Sequence, residues 1–168
     1  MIKEKERKGD ICMKNFPKSW WRVPVYCMAA GIVTFWVTVL IGGRLFAVTG
    51  MGTDGIPTIS VDPLRSAIFN GVLFVAVLLL GGRWFLKGMT KRDIAVSAAI
   101  ASLMYLLLVA FQVFMPTVAG QFVIQITHLQ NWIAIPGTLL TQLTRNVKVG
   151  IWLTNLTPFL FLLFGKKE

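Results

Sequence analysis

Four long stretches of this 168-residue chain carry almost no charge, and its lysines and arginines cluster between them. That alternation constrains the fold more than any motif does. A chain that is 55% hydrophobic, with a mean hydropathy of +0.69, falls outside the usual range of water-soluble domains. In hydrocarbon the backbone must satisfy its own polar groups, so apolar runs of about 20 residues become spanning helices. The expected fold is all-α: a polytopic transmembrane bundle of four spanning helices, with an amphipathic or re-entrant segment between spans three and four.

The spans are placed at about 23–43, 66–86, 94–115 and 149–164, each close to the ~20 residues that cross a ~30 Å core. Residues 23–165 then form one transmembrane domain, preceded by a basic tail over 1–22. Within that tail, Met13-Lys14-Asn15-Phe16 reads as a second start, and translation is expected to begin at Met13. No cleavable signal peptide is expected, because the first apolar run is too long and lacks a small-residue cleavage site. Trp20, Trp21 and Tyr26 form an aromatic collar where span one begins.

Between spans one and two, Thr49 to Arg65 is rich in Gly, Pro, Thr and Asp and is expected to be a loop. It ends in Asp62-Pro63, a cap followed by proline at the first helical position. Thr90 and Asp93 fit a capping box for span three. The segment over about 118–147 has an uncharged core diluted by Gln121, Gln125, His128, Gln130 and Asn131. Phe122, Ile126, Leu129 and Ile133 recur on one side, while Gln121, Gln125, His128 and Trp132 line another. The spacing predicts an amphipathic helix, in the interface or against the bundle, broken at Pro136-Gly137. Pro158 is expected to kink span four.

Counting charges gives the orientation. With four spans and an inner amino terminus, thirteen Lys and Arg fall on the cytoplasmic side against four outside, namely Arg44, Arg65, Arg145 and Lys148. Omitting residues before Met13 leaves nine against four. Both termini are therefore expected on the cytoplasmic face of a cell membrane. The same distribution accounts for the net charge of +10 without a nucleic acid partner. Val39-Leu40-Ile41-Gly42-Gly43-Arg44-Leu45-Phe46 echoes Leu78-Leu79-Leu80-Gly81-Gly82-Arg83-Trp84-Phe85, which either records a duplicated element or reflects ordinary helix ends.

The chemistry on offer is sparse. No Asp or Glu falls inside any expected span, whereas proton-coupled pumps commonly rely on a buried carboxylate. One histidine and two cysteines without CxxC spacing supply no haem ligation, zinc site or redox pair, so no cofactor or metal is expected. Arg44, Gln125, His128 and Asn131 are candidates for a polar pocket on the outer side. Arg44 has Asp54 and Asp62 as potential partners from the following loop. Asn70, Gln112 and Asn155 are the candidate intramembrane polar residues, a conduction path only if they share one lumen. Two small-residue stripes, Ala30, Thr34, Thr38 and Gly42 on span one and Ala95, Ala98, Ala99 and Ser102 on span three, are expected to pack helices closely.

These features point away from catalysis. The expected role is a small integral membrane protein serving as a transport component or an accessory subunit of a larger membrane assembly. Its partners would be membrane lipids and another membrane protein or a second copy. The alternative is a membrane-embedded enzyme acting on lipid or polyprenyl substrates at the outer leaflet, using His128 and Arg44.

Overall fold

In a computed structural model of the chain, the described residues are 19–51, 57–114 and 116–166; the side chains of 43, 51, 57–59, 113 and 116–125 lie outside that description. The expectations for the tail before residue 19, including the Met13 start, also lie outside it, as does Asp54. Helix α1 (Arg22–Val37) continues through a π-helical turn, Thr38–Gly42, into a last turn at Gly43–Leu45. A hairpin follows, β1 (Ala47–Met51) and β2 (Pro57–Val61), and then α2 (Pro63–Leu80) with its own π turn, Gly81–Phe85. Helices α3 (Lys91–Phe114), α4 (Pro116–Thr144) and α5 (Val147–Leu156) complete the bundle, and a 3₁₀ helix, Thr157–Phe164, extends α5. Among the described residues, four helical segments are long and apolar enough to cross a membrane: Arg22–Gly42, Pro63–Phe85, Lys91–Gln112 and Val147–Phe164.

The caps lie where local chemistry requires them. Asp62 Oδ1 accepts from the Leu64 and Arg65 amides at 3.0 and 3.2 Å, and Pro63 occupies the first turn, where its missing N–H costs nothing. The Asp93 amide donates to Thr90 Oγ1 at 3.2 Å, and the Asn146 side chain accepts from the Lys148 and Val149 amides.

The bundle is bound by close backbone approach. Gly31 on α1 faces the His128 and Leu129 carbonyls of α4, and Gly137 on α4 faces Gly150 and Thr154 on α5. In lipid the helices gain little from apolar burial alone, so such approaches and the hydrogen bonds they permit hold the fold. Ala30 and Thr34 are buried, as the small stripe on span one predicts. Of the stripe on span three, Ala98 and Ser102 are buried while Ala99 is exposed. At the centre Trp132 stacks between Phe74 and Phe161, with ring centroids 5.1 and 5.5 Å away, and Tyr26 meets it edge-on.

Both ends of the described chain lie at one end of the bundle. Ser97 near the start of α3 accepts from the Val23 amide and donates to the Trp20 carbonyl. The Lys166 carbonyl accepts from the Lys91 amide, and the Lys166 amide donates to the Met89 carbonyl, each at 3.1 Å.

The structure corrects three expectations. First, Pro136 does not break its segment; α4 runs through it from Pro116 to Thr144. Pro136 lacks the N–H that would bond the Trp132 carbonyl, and one residue along the Ile133 carbonyl meets the Thr157 hydroxyl at 3.3 Å, shared with the Leu153 carbonyl of that residue's own helix at 3.0 Å. Second, Trp132, grouped with the polar side of that segment, is fully buried, so α4 turns its aromatic side inward. Third, the loop after span one is a paired hairpin with Ala47 opposite Val61 and Thr49 opposite Ile59. Its β-branched residues favour strand, a local signal hidden by the surrounding glycines and prolines.

At Pro158 the helix changes type, from α to 3₁₀. Ten α residues and eight 3₁₀ residues rise about 31 Å together, against about 27 Å for eighteen α residues. The tighter coil lets a short last span cross the ~30 Å hydrocarbon core.

The two Gly-Gly-Arg segments each carry a π turn, Thr38–Gly42 and Gly81–Phe85, but their glycines differ in surroundings. At Gly81 and Gly82 an added Cβ would strike the rings of Tyr26 and Phe164, whereas at Gly42 its nearest neighbours are 3.7 Å away within its own segment.

Candidate functional site

A polar groove of about 230 Å³ opens between α1, α2 and α4 near the hairpin end of the bundle. From α1 it takes Thr38, the first residue of the π turn. Val61, Pro63, Ser66, Ala67 and Asn70 come from the end of β2 and the start of α2. Helix α4 supplies Asn131, Ala134, Ile135, Thr138, Leu139 and Gln142. Residues 131, 135, 138 and 142 follow the i, i+4, i+7, i+11 spacing of one helix face, so a single face of α4 forms a whole wall.

Hydrogen bonds between helices hold the lining in place. Thr38 Oγ1 donates to Asn70 Oδ1 at 3.2 Å, and Asn70 Nδ2 approaches Ser66 Oγ at 3.5 Å. Asn131 Nδ2 donates to Thr34 Oγ1 at 3.1 Å, and Thr34, itself buried, donates back to the Ala30 carbonyl at 2.7 Å. Each amide has two donors and two acceptor lone pairs, more than these contacts use. Among the described lining residues none is ionisable. The groove is therefore equipped to hydrogen-bond an uncharged polar group, and no lining residue is suited to moving a proton near neutral pH.

The sequence-derived candidates disperse. Asn131 lies in the groove, but His128, one turn earlier, packs against Phe35 with ring centroids 3.7 Å apart and near Trp36 at 6.0 Å. Arg44 is exposed in the last turn of span one. Asp62, its potential partner, instead caps α2 and pairs with Arg65 at 3.3 Å. The Gln125 side chain lies outside the described residues.

Of Asn70, Gln112 and Asn155, this groove takes only the first. Asn70 lines the groove, while Gln112 is half-buried near the far end of α3. Asn155 is buried between α3 and α5, where its carbonyl accepts from Ser102 Oγ at 2.7 Å and its Nδ2 donates to the Ile151 carbonyl at 3.0 Å. Ser66, Thr138 and Gln142 were not singled out by sequence reasoning. The regular spacing of Asn131, Thr138 and Gln142 was the available signal, obscured by the equally regular Gln121, Gln125, His128, Trp132 series. Comparison with protein families, curated proteins and solved structures finds no match for this chain.

Proposed function

We propose that this integral membrane protein works by binding rather than by catalysis, as a transport component or an accessory subunit of a larger membrane assembly. The observation that carries this reading is the groove: hydroxyl and amide groups on three helices, without an ionisable side chain among the described lining residues. Such a lining recognises a neutral polar group, either on a solute or on a neighbouring membrane segment. The enzymatic alternative needs His128 and Arg44 to act together, and neither lines the groove. The charge count supports placing both termini on the cytoplasmic side of a cell membrane, with the groove toward the outer side.

Single cysteines at Asn70 and Thr138, in a background with Cys12 and Cys27 replaced by serine, provide the test. They are expected to react with a membrane-impermeant thiol reagent applied from outside, whereas cysteine at Val75, exposed on the body of α2, is expected to stay unreactive. Groove positions as inert as Val75 would remove the basis for a polar binding site. In a deletion strain with a measurable defect, Asn70→Leu and Asn131→Leu should fail to complement, while His128→Ala and Arg44→Ala should succeed. The reverse pattern would favour the enzyme.

A further inference from the structure

At the opposite end of the bundle from the groove, a hollow of about 590 Å³ is lined by Leu79, Gly82, Arg83, Trp84, Lys87, Gly88, Phe164 and Lys166. Three of these are cationic, and none of the described lining residues is acidic. We infer that this hollow is a binding site for the phosphodiester headgroup of an anionic phospholipid, independent of the function proposed for the groove.

A positive-inside bias explains why cations collect at this end, but not why the end of α2 and the far carboxyl-terminal residue Lys166 bring them around one concavity. The π turn places Arg83 and Trp84 outward: the Leu86 amide donates to the Gly81 carbonyl at 2.9 Å, five residues back, while Gly81 and Gly82 are buried under Tyr26 and Phe164. Gly88, at φ +91°, makes the turn that follows Lys87, a conformation that disfavours any side chain with a Cβ. Lys166 is fixed by the two backbone bonds that tie it to Met89 and Lys91. Its position relative to Lys87 is therefore set by the main chain.

The rest of the hollow matches an amphiphile. Trp84 is 74% exposed, as suits an interfacial anchor, and Phe164 and Gly82 give the site an apolar floor. Leu79 continues that floor onto α2, where Ile68, Val72, Val75 and Leu79 are all exposed. Their i, i+4, i+7, i+11 spacing draws one apolar track along the helix, leading away from the cationic mouth. A phosphate at the mouth and an acyl chain along the track satisfy both parts of the site. A free phosphate satisfies only the first.

The test uses full-length purified protein in nanodiscs containing phosphatidylglycerol and phosphatidylcholine, with retained lipid counted by native mass spectrometry. The wild type is expected to keep one phosphatidylglycerol in preference to phosphatidylcholine. Each cation near an anionic lipid strengthens binding roughly fivefold, so the triple variant Arg83→Gln, Lys87→Gln, Lys166→Gln should lower retention about a hundredfold. A second triple variant with the same change in charge, Arg65→Gln, Arg145→Gln, Lys148→Gln, should keep the lipid. Unchanged far-UV circular dichroism will show that each variant remains folded. Equal loss in both triples, undiminished retention in the first, or displacement of the lipid by excess inorganic phosphate would each overturn the assignment.

Discussion

Replacing Gly31 with alanine tests the approach of α1 to α4. A Cβ there would lie 2.3 Å from the Leu129 carbonyl oxygen and 2.7 Å from that of His128, where ordinary contact begins near 3.4 Å. Both neighbours are backbone atoms, so no rotamer change makes room, and the two helices must part by about 1 Å. A gap of that order forfeits roughly a quarter to a half of the dispersion energy at each facing contact. It also stretches the hydrogen bond that joins these two helices, Asn131 to Thr34, now 3.1 Å. Such a bond contributes about 0.6 kcal/mol on average in a bilayer. Overpacking costs about 1–3 kcal/mol, and the better helix propensity of alanine offsets up to about 1 kcal/mol. The net loss is about 2 kcal/mol, or about thirtyfold in the unfolding equilibrium. Gly71→Ala is the control, because a Cβ there meets only Leu139 Cδ1 at 4.0 Å. Equilibrium unfolding in mixed micelles, followed by circular dichroism and tryptophan fluorescence, measures both variants. Equal stability of Gly31→Ala and Gly71→Ala would show that the bundle does not depend on this approach.

Three further outcomes follow from the same contacts. Ser97→Ala should cost about 1–3 kcal/mol in that assay, because it strands the Val23 amide that Ser97 Oγ accepts at 3.1 Å, whereas exposed Ser60→Ala should be neutral. Thr157→Val should cost about 0.6–1.7 kcal/mol by uncovering the Ile133 carbonyl beside Pro136. Exposed Thr144→Val provides the comparison, and equal effects would show that the Thr157 hydroxyl adds nothing at the Ile133 carbonyl. Reporter fusions at the two termini should report one compartment, since Trp20 and Lys166 both bond to the start of α3 and the turn before it. Reporters on opposite sides would contradict the four-span arrangement.

Much of the architecture was legible in the chain because hydrocarbon allows few solutions. An uncharged run such as Val23–Gly43 has little choice but to become a helix, and caps such as Asp62-Pro63 are local chemistry. The behaviour of α4 was not legible. Pro136 sits inside an unbroken helix whose next residue, Gly137, lies against Gly150 of α5, and no local pattern announces a partner that distant. Trp132 resembled a member of a polar face until Phe74 and Phe161, from two other segments, enclosed it.

The candidate sites divide the same way. Asn131 and Asn70 were visible as polar residues in apolar surroundings, but their membership of one groove depends on how α1, α2 and α4 meet. His128 was more conspicuous as chemistry and proved to be packed against Phe35. Composition and the lengths of the apolar runs alone determined the four spanning helices, since apolar length and hydrogen-bond satisfaction act within each segment. Only tertiary packing decided which polar groups converge, because convergence depends on crossings between helices far apart in sequence, set by glycines and ring contacts whose partners no single segment contains.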